Sequence, residues 1–284
     1  MMSESKEPLL HVENIEKYYG NPGAVTKALD QVSFDVQAGE FISIMGASGS
    51  GKTTLLNCIS TIDTVSSGRI LLDGQDITTI TEKNIADFRR DCLGFVFQDF
   101  NLLDTLTLEE NIALPLTISE TSPKEIDQRV HRIADQLHIS DTLKKFPTQV
   151  SGGQKQRCAF ARAVICSPKL IMADEPTGAL DSNSSRVLLE VMSNFNREMG
   201  ATILMVTHDS FCASYGSRIL FLKDGRIFNQ ILKGEKTHST FYHEILDVLS
   251  LLGGDNPSVL IGSIGITDWC HSGDLLQKSV LRVP

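Results

Sequence analysis

The run Gly46-Ala47-Ser48-Gly49-Ser50-Gly51-Lys52-Thr53-Thr54 has the residue types and spacing of a phosphate cradle. It fits G-x-x-x-x-G-K-[ST], in which glycines let the backbone turn tightly enough for successive N–H groups and the next helix N-terminus to aim at phosphate oxygens. Lys52 would place a cation beside the outer phosphates, and Thr53 would offer its hydroxyl to Mg²⁺. Farther on, the apolar run Leu170-Ile171-Met172-Ala173 ends in Asp174-Glu175, two carboxylates able to hold a divalent cation and to polarise an attacking water. His208 follows a third apolar run, Thr202 to Val206. Taken singly, an Asp-Glu pair at a strand end is usually just solvated, and a histidine is usually an ordinary surface or core residue. Their order around the cradle points to hydrolysis of a nucleoside triphosphate.

Those groups need a scaffold that brings three chain segments to one edge. Phe41-Ile42-Ser43-Ile44-Met45 reads as a strand and Thr54-Leu55-Leu56-Asn57 as the start of a helix, which is the context the cradle requires. In open parallel sheets ligands bind outside the carboxyl ends of the strands, where Asp174, Glu175 and His208 all fall. Leu9 to Ile15, Val32 to Val36 and Arg69 to Leu72 alternate as half-buried antiparallel strands do. Residues 99–168 read as mostly helical: one helix opens at Thr107, a second is capped by Ser122-Pro123, and a third covers Gly153 to Ile165. Strand and helix patterns resume to Leu222, and Lys223-Asp224-Gly225-Arg226 marks a hairpin. Phe241, Ile245, Val248, Leu249 and Leu252 recur at helical spacing, predicting a terminal amphipathic helix packed on the body. After Gly253-Gly254, residues 255–284 show no clear pattern and read as a tail, native or appended.

The motifs resemble those of the ATP-binding-cassette (ABC) ATPases. Residues 46–53 are similar to that family's Walker A, and Gln98 in Phe97-Gln98-Asp99 to its Q-loop. Ser151-Gly152-Gly153-Gln154 is similar to the signature, Leu170 to Glu175 to Walker B, Ala179-Leu180-Asp181 to the D-loop, and His208 to the switch histidine. Either Tyr18 or Tyr19 matches the aromatic that stacks on adenine; Tyr19 is preferred because it directly precedes Gly20. Val150 stands where the family commonly has Leu before the signature serine, an apolar swap of similar volume. The resemblance implies an α/β P-loop NTPase fold, an ABC-type nucleotide-binding domain over residues 9–254 with an antiparallel β subdomain and a helical subdomain at 99–168. It also implies ATP and Mg²⁺ as cofactors, with Thr53, Gln98 and Asp174 at the metal and Glu175 and His208 at the reaction. Because the signature lies on a helical arm remote from its own phosphate loop, the expected partner is a second copy in an ATP-dependent head-to-tail dimer.

Subgroup features narrow the resemblance. Met45-Gly46-Ala47-Ser48, Phe100-Asn101-Leu102-Leu103, Leu114-Pro115-Leu116 and Ala173 to Asp181 are similar to macrolide exporters and lipoprotein-release ATPases. Asn101 to Thr107, Ala213-Ser214-Tyr215 and the late element from Phe241 to Gly254 are most similar to bacitracin and lantibiotic resistance transporters of Gram-positive bacteria. The implied partners are an integral membrane permease docked near Gln98 and, through it, a sensor kinase; the implied place is the cytoplasmic face of the bacterial plasma membrane.

Composition agrees. The chain has 284 residues, 41 % hydrophobic, enough for a sizeable core in one composite domain, and no internal repeat. Apolar runs such as Ile219-Leu220-Phe221-Leu222 fall far short of the ~20 residues that span a bilayer, and Met1 to Pro8 lacks a signal-peptide core. The six cysteines, Cys58, Cys92, Cys158, Cys166, Cys212 and Cys270, have no C-x-x-C spacing, as expected of free thiols in a reducing compartment. A formal net charge of -9 disfavours broad nucleic-acid binding. Soluble ABC ATPases of DNA repair or translation usually carry a long coiled-coil insertion or a second cassette, and neither is present. Glu175 and His208 oppose a scaffold that does not hydrolyse.

Overall fold

The computed structural model describes residues 7–21 and 24–253. Two sheets enclose one helix. The first is antiparallel, in the order β2-β1-β4-β5, built from β1 (Leu10–Asn21), β2 (Ala24–Val36), β4 (Ser67–Leu72) and β5 (Gln75–Asp76). Between β2 and β4 the chain crosses to the second sheet as β3 (Phe41–Met45) and returns through α1 (Lys52–Ile59). The second sheet runs β10-β9-β3-β8-β7-β6, with β6 (Leu93–Val96), β7 (Leu170–Asp174), β8 (Ile203–Thr207), β9 (Arg218–Lys223) and β10 (Arg226–Leu232). All its neighbours pair in parallel except β10 on β9. Its central strands β3 and β8 are buried along their whole length, as strands covered on both faces must be.

The space between the sheets is filled by Leu55, Leu56, Cys58 and Ile59 of α1, packed with Leu10, Val12, Ile15, Ile42, Ile44, Met172 and Leu204. A second core lies on the opposite face of the parallel sheet. It joins α3 (Leu108–Ile118), α4 (Pro123–Gln136), α5 (Gly152–Val164) and α6 (Ser182–Met199) through Ile112, Leu116, Val130, Phe160, Leu188 and Phe195. Phe160 meets Phe195 edge-on at 5.3 Å. The helix starts follow the sequence: the Thr107 and Glu110 side chains form a capping box on α3, and Ser122 caps α4 with Pro123 in the first turn. The Asp224-Gly225 turn takes φ of 49° and 75°, the left-handed pair that a two-residue hairpin needs.

Three differences from expectation have physical causes. The first hairpin is longer than alternation showed, because the exposed half of β1 pairs with β2 through irregular register at Ile15, Lys17 and Tyr18. Glu82–Cys92 forms α2, a polar helix that buries only Phe88 and so carries no apolar stripe. After the short α7 (Ser210–Ala213), the last helix, α8 (His238–Gly253), begins before Thr240, and Phe241 and Ile245 are buried as its spacing implied. A first compact unit ends at Ile245 and a second begins at Leu246, of which the rest of α8 is described. The stretch 255–284 lies outside the described residues.

Candidate functional site

β3 delivers the chain to the phosphate loop at the carboxyl edge of the parallel sheet. Two of its glycines are required sterically. A Cβ at Gly46 would lie 2.2 Å from the Leu222 carbonyl oxygen, and Gly51 takes φ +102° with a Cβ position 2.6 Å from the Ala28 carbonyl. Lys52 is buried, and its Nζ donates to the carbonyls of Gly46 and Ala47 at 2.9 and 3.0 Å. The lysine thus bridges its own loop, folded over the space that phosphate would occupy. Ala28, Ser48, Gly49, Gly51, Lys52, Thr53 and Thr54 share a cavity of about 490 Å³ with Glu175 and His208.

Asp174 ends β7 beside this loop, its Oδ1 3.5 Å from the Thr53 hydroxyl. Burial, then the charge of neighbouring Glu175, pushes the Asp174 carboxyl above the usual range, against the pull of the Thr53 hydroxyl and the Lys52 charge. A carboxylate and a hydroxyl are the hard oxygen donors that Mg²⁺ takes, and a cation here would offset both influences that penalise the Asp174 charge. The donor set fits the metal.

Glu175 leaves the strand in the left-handed region, at φ 46°, which costs a non-glycine residue about 1 kcal/mol or more. Its surroundings enforce the geometry: its N–H donates to Val206 O at 2.9 Å, and its carbonyl accepts from Gly178 N–H at 2.9 Å. The turn carries its side chain over to the end of β8. There Glu175 Oε1 lies 2.9 Å from His208 Nδ1, and Oε2 accepts from the His208 backbone N–H at 3.4 Å. The glutamate side chain is largely buried and the imidazole largely exposed. A carboxylate held by an imidazole over a phosphate cradle can take a proton from a water placed between them.

The two tyrosines point in different directions. Tyr19 donates its hydroxyl to Asp63 Oδ2 at 2.6 Å on the loop after α1, and Lys17 Nζ sits 4.9 Å from its ring centre. Burial, then Asp63, pushes the Tyr19 phenol up, and the Thr54 hydroxyl beside it pulls it back, so the ring stands at the phosphate-loop helix. Tyr18 instead donates to Glu16 at 2.9 Å and faces Lys27.

The remaining expected residues lie elsewhere. Ser151 and Gln154 form a capping box at the start of α5: Ser151 Oγ accepts from Gln154 N–H at 3.3 Å, and Gln154 Oε1 accepts from Ser151 N–H at 3.0 Å. Asp181 caps α6, accepting from the N–H groups of Asn183 and Ser184, each at 3.0 Å. Gln98 lies against Gly178, where an added Cβ would sit 3.0 Å from Gln98 Cδ. Residues 151–154 line neither the loop cavity nor the adjoining one of about 730 Å³ that Glu175 and His208 share with Thr177, Leu180 and the start of α6. The fold therefore brings the phosphate loop, Asp174, Glu175, His208 and Tyr19 together and leaves Ser151-Gly152-Gly153-Gln154 apart from them. Asp63 and Gln156, both in contact with this machinery, were not singled out by sequence; for Gln156 the signal was a glutamine inside the apolar stripe 156, 159, 160 and 163 of α5.

The chain is similar to known proteins. Residues 29–178 match the family model described as ABC transporter. The chain is 52 % identical over 248 residues to the ABC transporter ATP-binding protein YxdL of Bacillus subtilis (strain 168), covering 87 % of this chain and 95 % of that one. It is 48 % identical over 246 residues to the bacitracin export ATP-binding protein BceA of Halalkalibacterium halodurans, covering 87 % and 97 %. Among solved structures it resembles the dimeric post-hydrolysis state of the ATP-binding cassette MJ0796 bound to ADP and Pi, with a TM-score of 0.73, 37 % identity and coverage of 78 % and 98 %.

Proposed function

The chain belongs to the ABC transporter family as an ATP-hydrolysing subunit, and from that premise we propose that it powers export of a peptide antibiotic of the bacitracin kind through an integral membrane permease. The observation that carries the reading of the site is the Glu175–His208 contact of 2.9 Å over the phosphate-loop cavity. The loop N–H groups cradle the phosphates of ATP, and Lys52 exchanges its two carbonyl partners for phosphate oxygens. Thr53 and Asp174 would hold Mg²⁺, which when bound neutralises phosphate charge, and Gln98, which rests on Gly178, would join that set only by turning from it. Glu175 takes the proton of the attacking water, and His208 keeps the carboxylate aimed. Tyr19 stacks on adenine, fixed by Asp63.

Each site takes its signature from a second copy. The separation of Ser151-Gly152-Gly153 from the chain's own phosphate loop supports this, as does the dimeric form of the similar MJ0796 cassette. Two copies head to tail enclose two ATP molecules, and closure and release move the permease by the differential affinity of ATP for the two states. No helix among the described residues is long and apolar enough to cross a membrane. The subunit works at the cytoplasmic face of the plasma membrane, attached through the permease. The likeness to BceA supports the bacitracin class of cargo.

The test is to identify the permease that co-purifies with the chain and to express the two together in a bacitracin-sensitive bacterium. Native chain should raise tolerance, and Lys52→Ala should leave it at the level of the empty host. Equal protection by both, or none by the native pair, would overturn the reading.

A further inference from the structure

The signature helix is bolted to the reacting edge through one buried side chain. Gln156 of α5 is fully buried, and its Nε2 donates to two main-chain carbonyls on different loops: Phe97 O at 2.9 Å and Pro176 O at 2.7 Å. Phe97 immediately precedes Gln98, and Pro176 immediately follows Glu175. The two loops also meet directly, since Gln98 packs on Gly178. A closed ring of contacts thus runs from Gln156 to Phe97, through Gln98 to Gly178, and back through Pro176. A second α5 side chain, Arg162, grips the same loop farther on, donating to Asn101 O at 2.6 Å and Phe100 O at 3.2 Å. Phe100 and Asn101 both take left-handed φ, 61° and 49°, so this loop too is held in a conformation it would not choose alone.

We propose that Gln156 is a positioning residue: it sets the left-handed turn at Glu175 and the place of Gln98 from the signature helix, so that movement of that helix reaches both. The chemistry of the side chain is specific. An amide at this length offers two N–H groups to two carbonyls at once. No aliphatic side chain of the same size can do so, and a carboxylate would face two carbonyl oxygens with charge. Without the Pro176 bond, the main chain of the Glu175 turn is held by its bonds to Val206 and Gly178, and the side chain by His208. A carboxylate displaced by about 1 Å from the water it deprotonates can lose on the order of 10²-fold in rate.

The proposal rests on Glu175 as the base, and the experiment separates the two claims. Gln156→Met preserves length and volume while removing both donors. In the full chain, kcat for ATP hydrolysis should fall about tenfold or more, with ATP affinity held within about twofold. Placed on Glu175→Gln, the same substitution should cost at least about threefold less in single-turnover rate than in the native background, because one of the two groups it positions is already gone and only its effect through Gln98 remains. Gln156→Glu adds a readout: its protonated form carries one O–H donor, so its deficit relative to native should shrink as pH falls. A Gln156→Met deficit of equal size in both backgrounds, a native kcat for Gln156→Met, or failure of both Gln156 variants to melt cooperatively would overturn the positioning role. A native rate for Glu175→Gln alone would instead overturn the assignment of the base.

Discussion

Replacing Glu175 by Gln changes one oxygen for an NH2 and little else. The amide oxygen still accepts from the His208 backbone N–H or ring, the contacts of the left-handed turn are main-chain and remain, and no volume is lost. Folding stability should therefore stay within about 0.5 kcal/mol of native. The like charge beside Asp174 disappears, which relieves one of the influences that raise its carboxyl and can only favour a cation there. Binding of ATP should survive on the loop and Lys52. What is lost is the proton acceptor, worth about 10²- to 10⁴-fold in rate for a positioned base. At 1.36 kcal/mol per tenfold, that is about 3–5 kcal/mol of barrier. Phosphate release in a single turnover measures the rate, and light scattering with ATP measures mass, which should shift to the dimer and stay there as the closed state fails to reset. A variant that hydrolyses at the native rate would refute both the base and the geometry on which it was argued.

Asp174→Asn should raise the thermal stability of the nucleotide-free protein near neutral pH, because a carboxyl raised by burial is penalised when ionised. A raised folded-state pKa means that the native state binds more protons. The penalty is thus full above that pKa and fades as pH falls through it towards the unfolded value of about 4, and the melting difference between variant and native should fade with it; a difference that grows on acidification contradicts the assignment. With Mg²⁺-ATP the order should reverse, the native chain gaining more. Tyr19→Ala should weaken ATP binding about fivefold or more, from a stacking contribution of roughly 1 kcal/mol, and Tyr18→Ala should not; equilibrium titration with a fluorescent ATP analogue separates them, and equal effects would show that the ring at the Thr54 side is not the stacking one.

The parts of this molecule that chemistry constrains tightly were legible in the chain. Residues 46–53 read as a phosphate cradle between a strand and a helix, and the structure puts β3 and α1 there; Asp224-Gly225 reads as a hairpin turn and forms one. Thr107 with Glu110 and Ser122 with Pro123 marked helix starts because caps are local. What stayed hidden was set by neighbours distant in sequence. Polar α2 carries no stripe, and the exposed reach of β1 past Ile15 depends on register with β2. At Glu175 the left-handed φ is held by Val206, by Gly178 and, through Pro176, by Gln156, and nothing in Asp174-Glu175-Pro176 announces it. Ser151 and Gln154 read as part of the signature; the structure adds that their side chains form a capping box at the start of α5. Gln156 needed the structure altogether, because both its partners are carbonyls of other loops.

The claim that most needs a direct test is that one catalytic site is assembled from two copies. Ser151→Arg damages the signature but leaves Lys52 and Glu175 whole; Glu175→Gln damages the base but leaves the signature whole. Each variant alone should be nearly inactive. In a head-to-tail pair of the two, the phosphate loop and Glu175 of the first chain face the intact signature of the second, so one of the two sites is complete. With random pairing, half the dimers are mixed, and mixing the inactive proteins in equal amounts should restore roughly a quarter of the native ATPase rate. If each chain instead used its own signature, no mixed dimer would contain a whole site, and a mixture as inactive as its parts would contradict the account.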